Sequence, residues 1–236
     1  MAAKAQVWKV KDKDKEQVKA QYDPKGSGNK VLLVFSGDPS FAAGVEAWAT
    51  ALYEKVFKGV GVGHVYSVAY DPKTKDNEPP AELVTHFKDL VKGHPPVFVV
   101  AHSSGTYVAH ALFKHLDNKD DKGILEKTTY YNVDGASYPG SKCPAKKVFA
   151  VYAYVKGPKG ELGSRNVKSM MSFGKPAVRP VELDDAPEKL LADPKAVAAY
   201  LHRRLIVKLD PPPKSLDYKV VTKENVTTEW IQDTDF

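Results

Sequence analysis

Two short segments, Lys30–Phe35 (KVLLVF) and Pro96–Ala101 (PVFVVA), are apolar at nearly every position and rich in β-branched residues. A strand with one wet face alternates polar and apolar side chains. A near-continuous apolar run of this length belongs instead to a strand covered on both faces, as in parallel sheets. The intervening chain carries the helical period, and amphipathic helices are expected over about Phe41–Phe57, Pro79–Lys92 and Gly105–Leu116. Further strands are expected at His64–Tyr70, Thr128–Val133 and Lys147–Val155, with a weaker one at Asn166–Phe173. A final helix covers Pro194–Val207, with Asp193 as N-cap and Pro194 at its first position. Ahead of these, Gln6–Lys11 and Gln17–Tyr22 alternate around a charged turn and read as a β-hairpin.

This order implies an α/β fold: a mostly parallel central sheet of about eight strands, an N-terminal antiparallel hairpin, and helices on both faces. No linker, repeat or low-complexity tract divides residues 1–236, so one domain is expected. The stretch 211–236, which opens with Pro211-Pro212-Pro213, is expected to be an edge strand around Tyr218–Thr222 or an extension.

The formal charge is +6, from 35 basic and 29 acidic residues. Only Arg165, Arg179, Arg203 and Arg204 are arginine, and the lysines are spread along the chain among acids. Nucleic-acid readers concentrate arginine forks and aromatics on one stripe, so a nucleic-acid partner is not expected. No stretch approaches the roughly 18 apolar residues of a membrane span. The segment Met1–Lys15 has no apolar signal-peptide core, and Cys143 is the single cysteine. A reducing, cytoplasmic location is the expectation. There is no HExxH, no cluster at metal-ligand spacing and no phosphate loop, so neither metal nor cofactor is expected.

One segment carries chemistry: Val99-Val100-Ala101-His102-Ser103-Ser104-Gly105-Thr106-Tyr107-Val108-Ala109. A buried strand runs into Ala-His-Ser-Ser-Gly and then directly into a helix. A serine at so tight a strand-to-helix turn is held in a strained backbone conformation with its hydroxyl above the sheet. Positions two before and two after it must be small because backbones crowd there, and Ala101 and Gly105 meet that need. The helix N-terminus beneath offers N–H groups to a developing oxyanion. The bland alternative is a Ser-Ser cap on an ordinary βα turn.

The pattern resembles the G-x-S-x-G nucleophile elbow, with alanine for the first glycine. Over most of its length the chain looks like a serine hydrolase of the α/β-hydrolase fold, esterase or lipase-like. The resemblance implies Ser103 as nucleophile and an oxyanion hole made by the backbone N–H groups of Asp38, after the third strand, and Ser104. It also implies an acid and a histidine, in that chain order. Asp134, at the end of the sixth strand, is the favoured acid, and Glu161, in the loop Lys156–Arg165, is the alternative.

Among the seven histidines, only His202 follows the last strand, where the family places its base. It departs from the family's pattern, because it falls roughly 12 Å along a helix rather than at a helix start. His102 is adjacent to the nucleophile but expected to be aimed away from it.

Three readings stand side by side. The first is a serine hydrolase acting on a small-molecule carboxylic ester, with Ser103, Asp134 and His202 as its catalytic residues. The second is a non-catalytic α/β-hydrolase-fold binding protein with a degenerate triad, motivated by the position of His202. The third keeps the triad but performs acyl transfer or carbon–carbon cleavage, among which fold does not choose. Only Gly135–Lys146 separates the sixth and seventh strands, too little for a helical cap domain, so an open, shallow site is expected.

Overall fold

The structure is a computed structural model, and it describes residues 4–12, 15–37, 44–70, 78–139, 142–157, 160–164, 177–183, 190, 192–208 and 221–236. Nine strands form one sheet: β1 (Gln6–Asp12), β2 (Lys15–Pro24), β3 (Lys30–Ser36), β4 (Val62–Tyr70), β5 (Val97–His102), β6 (Thr128–Val133), β7 (Lys147–Gly157), β8 (Gly160–Gly163) and β9 (Ala177–Glu182). The spatial order is β1-β2-β4-β3-β5-β6-β7-β8, with β9 also on β7. The pairs β3–β4, β3–β5, β5–β6, β6–β7 and β7–β9 are parallel, while β1–β2, β2–β4 and β7–β8 are antiparallel.

The continuous apolar runs are explained by what covers them. In β3, Leu32 and Val34 face one layer while Val31, Leu33 and Phe35 face the other, and β5 divides the same way. The first layer is α1 (Val45–Leu52, continued by a π turn over Tyr53–Phe57), α5 (Pro194–Arg204) and the C-terminal segment. The second is α2 (Ala81–Leu90), α3 (Gly105–Leu116) and the short α4 (Lys122–Leu125). At α5, Asp193 Oδ1 accepts from Lys195 N at 2.9 Å, the cap its position implied.

Three expectations are corrected. The region read as a loop at Lys156–Arg165 is largely the β7–β8 hairpin, in which Lys156 pairs with Glu161. Strand β9, AVRPVE, went unread because it is short, carries Arg179 and Glu182, and contains Pro180, which an edge strand tolerates. The expected strand at Asn166–Phe173 lies outside the described residues. The tail is no loose extension over 221–236: Val226 and Trp230 are buried in the first layer, and Val207 bridges to Val226. Of the expected edge strand, 218–220 lie outside the described residues and 221–222 are not strand. Between β6 and β7 there is no helix among the described residues, and among them no helix is long and apolar enough to cross a membrane.

Candidate active site

The C-terminal ends of β5 and β6 lie side by side, and the next residue of each strand leaves the sheet through an uncommon backbone conformation. Ser103 has φ +54° and Asp134 has φ +48°. A non-glycine residue in this left-handed region costs of order 1–3 kcal/mol and persists only where its surroundings impose it. The surroundings are visible. Ser103 N donates to Val133 O at 3.2 Å and Asp134 N to Val151 O at 2.9 Å, so the sheet ladder extends to both residues before the chain turns off.

A side-chain network then ties the two turns together. Thr106 Oγ1 donates to Ser103 O (2.7 Å) and accepts from Ala136 N (2.9 Å). Asn132, a fully buried amide near the end of β6, accepts from Gly135 N and donates to Ala136 O, both at 2.9 Å. The turn carrying Asp134 is thereby fixed against the turn carrying Ser103.

Asp134 is fully buried. Its Oδ1 accepts from Ser164 Oγ at 2.8 Å, and its Oδ2 lies 2.5 Å from His202 Nδ1. His202 thus presents Nδ1 to the carboxylate and keeps Nε2 on the other edge of the ring. Glu161, the alternative acid, is exposed on β8. No sequence signal marked Ser164, which reaches Asp134 from beyond the hairpin that the sequence reading missed.

The placement of His202 was the difficulty in the sequence, and the structure explains it. The residue sits in the last turn of α5, whose C-terminal end abuts the ends of β5 and β6. A histidine deep in a helix from its start is therefore at the rim from its end. Ser103 and His202 are neighbours through His102, whose ring centroid is 4.3 Å from that of His202. Among the described residues, no hydrogen bond joins Ser103 Oγ to His202.

The crowding expected at the elbow is present, but its source is the adjacent strand. A Cβ on Gly105 would lie 2.8 Å from the Phe35 carbonyl group, in β3. A Cβ on Gly37 would lie 2.4 Å from both Ser104 N and Gly105 N, so glycine leaves open the space in front of these two amides. Ser104 Oγ donates to Gly37 O, which holds the segment after β3 against the elbow. Asp38, the other expected oxyanion donor, lies outside the described residues.

Strand order, the strained serine after the fifth strand, and an acid after the sixth are now in hand. The chain has the α/β-hydrolase fold. No protein-family model matches the sequence, and no curated protein matches it. Solved structures similar to it include a serine hydrolase homologue from Coxiella burnetii (10% identity, 85% of this chain and 97% of that one, TM-score 0.44). Another is the esterase domain of a Rhodothermus marinus protein (12% identity, 86% of this chain and 99% of that one, TM-score 0.41). At such identities and scores, the chemistry of the site has to follow from its own residues. Among the described residues, no group of three or more His, Cys, Asp or Glu is arranged to hold a metal ion.

Proposed function

We propose that the protein is a serine hydrolase cleaving a small-molecule carboxylic ester through an acyl-enzyme on Ser103. The observation that carries this reading is the 2.5 Å contact between His202 Nδ1 and Asp134 Oδ2, made beside the strained serine. Ser103 Oγ attacks the acyl carbon while His202 Nε2 takes the hydroxyl proton. The carbonyl π pair moves to oxygen, where the N–H groups of Ser104 and Asp38 receive it. Collapse of the tetrahedral species expels the alcohol, which leaves with the proton from Nε2. Water then repeats the sequence on the acyl-serine and restores the free hydroxyl. Asp134 accepts from Nδ1–H throughout, so it fixes the tautomer and supports the transient imidazolium.

The binding-protein reading rested on His202 lying too far along its helix, and the contact with Asp134 weighs against that motive. A direct Ser103–His202 hydrogen bond is not required before substrate binds, because catalytic hydrogen bonds are often long until the Michaelis complex forms. Water is the acceptor in this reading because Ser103 is partly exposed and the β6–β7 connection is short.

The test is labelling with a fluorophosphonate probe at neutral pH followed by peptide mapping. Rapid modification of Ser103, lost in Ser103→Ala and His202→Ala, is expected. A folded protein that stays unlabelled would overturn the hydrolase reading and leave the binding protein in its place.

A further inference from the structure

The end of α5 has an uncommon set of partners. The last carbonyls of a helix have no intrahelical donor and need one from elsewhere. Here Ile206 N turns to Arg203 O (3.0 Å) instead of His202 O. The later carbonyls are taken up by the C-terminal segment: Thr227 Oγ1 donates to Arg204 O (2.9 Å), Trp230 Nε1 to Leu205 O (2.9 Å) and Thr227 N to Ile206 O (2.8 Å). The carbonyl of His202 has a different partner, His102 Nε2, at 3.0 Å.

His102 is buried, with its ring tilted 36° against that of His202 and the edge of Trp48 on another side. A carbonyl can only accept, so His102 carries a proton on Nε2. Burial, reinforced by the neighbouring His202, pushes its pKa well below the usual histidine value, so the ring is the neutral Nε2–H tautomer.

We infer that His102 is a positioning residue for His202: its Nε2–H caps the base's own backbone carbonyl while its ring supports the base's imidazole, locking the end of α5 to the strand that delivers Ser103. The inference rests on the serine-hydrolase reading for its catalytic consequence. Its structural core, that His102 sets the His202–Asp134 pair, stands without it. A neutral ring suits this place, since a second positive charge here would oppose the imidazolium that His202 becomes during the reaction. The residue before the nucleophile is thus part of the device that aligns the base, with its ring directed to His202.

Two variants separate the donor from the ring. His102→Phe keeps the ring and removes the donor, and His102→Gln keeps an amide donor near the position of Nε2. With 4-nitrophenyl acetate as the ester, His102→Phe is expected to lose kcat by about tenfold or more with KM changed less than about threefold. His102→Gln should recover most of that loss, since misplacement of a catalytic group by an ångström costs up to about a hundredfold. The low-field proton resonance of the His202 Nδ1–H···Asp134 bond should weaken or move in His102→Phe and return in His102→Gln.

The resonance is read on folded protein without turnover. If wild type fails to hydrolyse the ester yet the resonance follows this pattern, the hydrolase reading fails and the positioning role stands. An unchanged resonance and kcat in His102→Phe, or equal loss in both variants, would overturn the inference.

Discussion

Asp134 and Asp235 are both buried carboxylates, and the fold completes one of them while leaving the other with a partner that can change charge. Asp235, held against β6, β7 and β9, accepts from both terminal guanidinium nitrogens of Arg179, together with Tyr131 OH (2.8 Å) and Gln232 N (3.1 Å). Arg179 in turn lies 3.8 Å over the Phe149 ring and donates to Trp230 O. Every partner is a permanent donor, so the cluster clasps the C-terminal segment to the sheet. Asp134 accepts from the Ser164 hydroxyl and from the imidazole of His202, whose second nitrogen is on the far edge of the ring. Burial therefore does not distinguish the two carboxylates. The nature of their partners does.

Substitutions at the two aspartates should diverge accordingly. Asp134→Asn, which favours the wrong tautomer of His202, should lower kcat/KM by about 10⁴-fold, as should Ser103→Ala. Asp235→Asn should leave kcat within about threefold in the same ester assay. In denaturant unfolding the ranking reverses. Asp235→Ala strands the Arg179 guanidinium and should cost about 3–5 kcal/mol. A large activity loss at Asp235 with no change in stability would break the comparison.

Acid should draw first on the buried histidines and then, below about pH 4, on the clasp as well. His110 is held neutral by burial, with its pKa pushed down to about 3, and His102 is shifted the same way. The unfolded chain takes up these protons below about pH 6.5, so this contribution is fully present above that pH and is lost as pH falls. For Asp235, burial acts to raise the carboxyl, but hydrogen bonds from Arg179, Gln232 and Tyr131 with the Arg179 charge outweigh it and hold the group below its ordinary value. That stability is present above about pH 4 and lost below it. Urea unfolding at about pH 7, 5 and 3.5 should show a continuous decline that steepens below about pH 4, and Asp235→Asn should lessen only that steepening.

Smaller effects sharpen the site itself. Ser164→Ala removes one hydrogen bond to Asp134 and should cost about tenfold in kcat, the kinetic equivalent of roughly 1.4 kcal/mol. Ser103→Gly should raise the unfolding free energy by about 1 kcal/mol, because glycine adopts φ near +54° without the strain that serine carries there. A destabilised Ser103→Gly would mean the elbow is not strained.

What the sequence disclosed follows from which interactions are local. Strands β3 and β5 were legible because burial on both faces writes a continuous apolar run, and the Ala-His-Ser-Ser-Gly turn because strand, turn and helix are contiguous. Strand β9 hid behind its two charged residues and Pro180, and with it went Arg179, the partner without which Asp235 reads as a tail residue. His202 was found by elimination, but it meets Asp134 from the end of α5, whose carbonyls accept from His102, Thr227 and Trp230, in two distant parts of the chain. Ser164 had no local mark at all. Gly37 could be seen as a turn residue, though its role in clearing the Ser104 and Gly105 amides is set by packing between β3 and the elbow.

The central claim is that Ser103 carries an acyl group during turnover. Rapid mixing of the protein with 4-nitrophenyl acetate, with acid quench and mass analysis of peptides, tests it directly. A burst of nitrophenol stoichiometric with enzyme, matched by one acetyl group on the Ser103 peptide and absent in Ser103→Ala, is the predicted result. Nitrophenol release with no burst and no acetylated Ser103, or acetylation of another residue at the same rate, would contradict it.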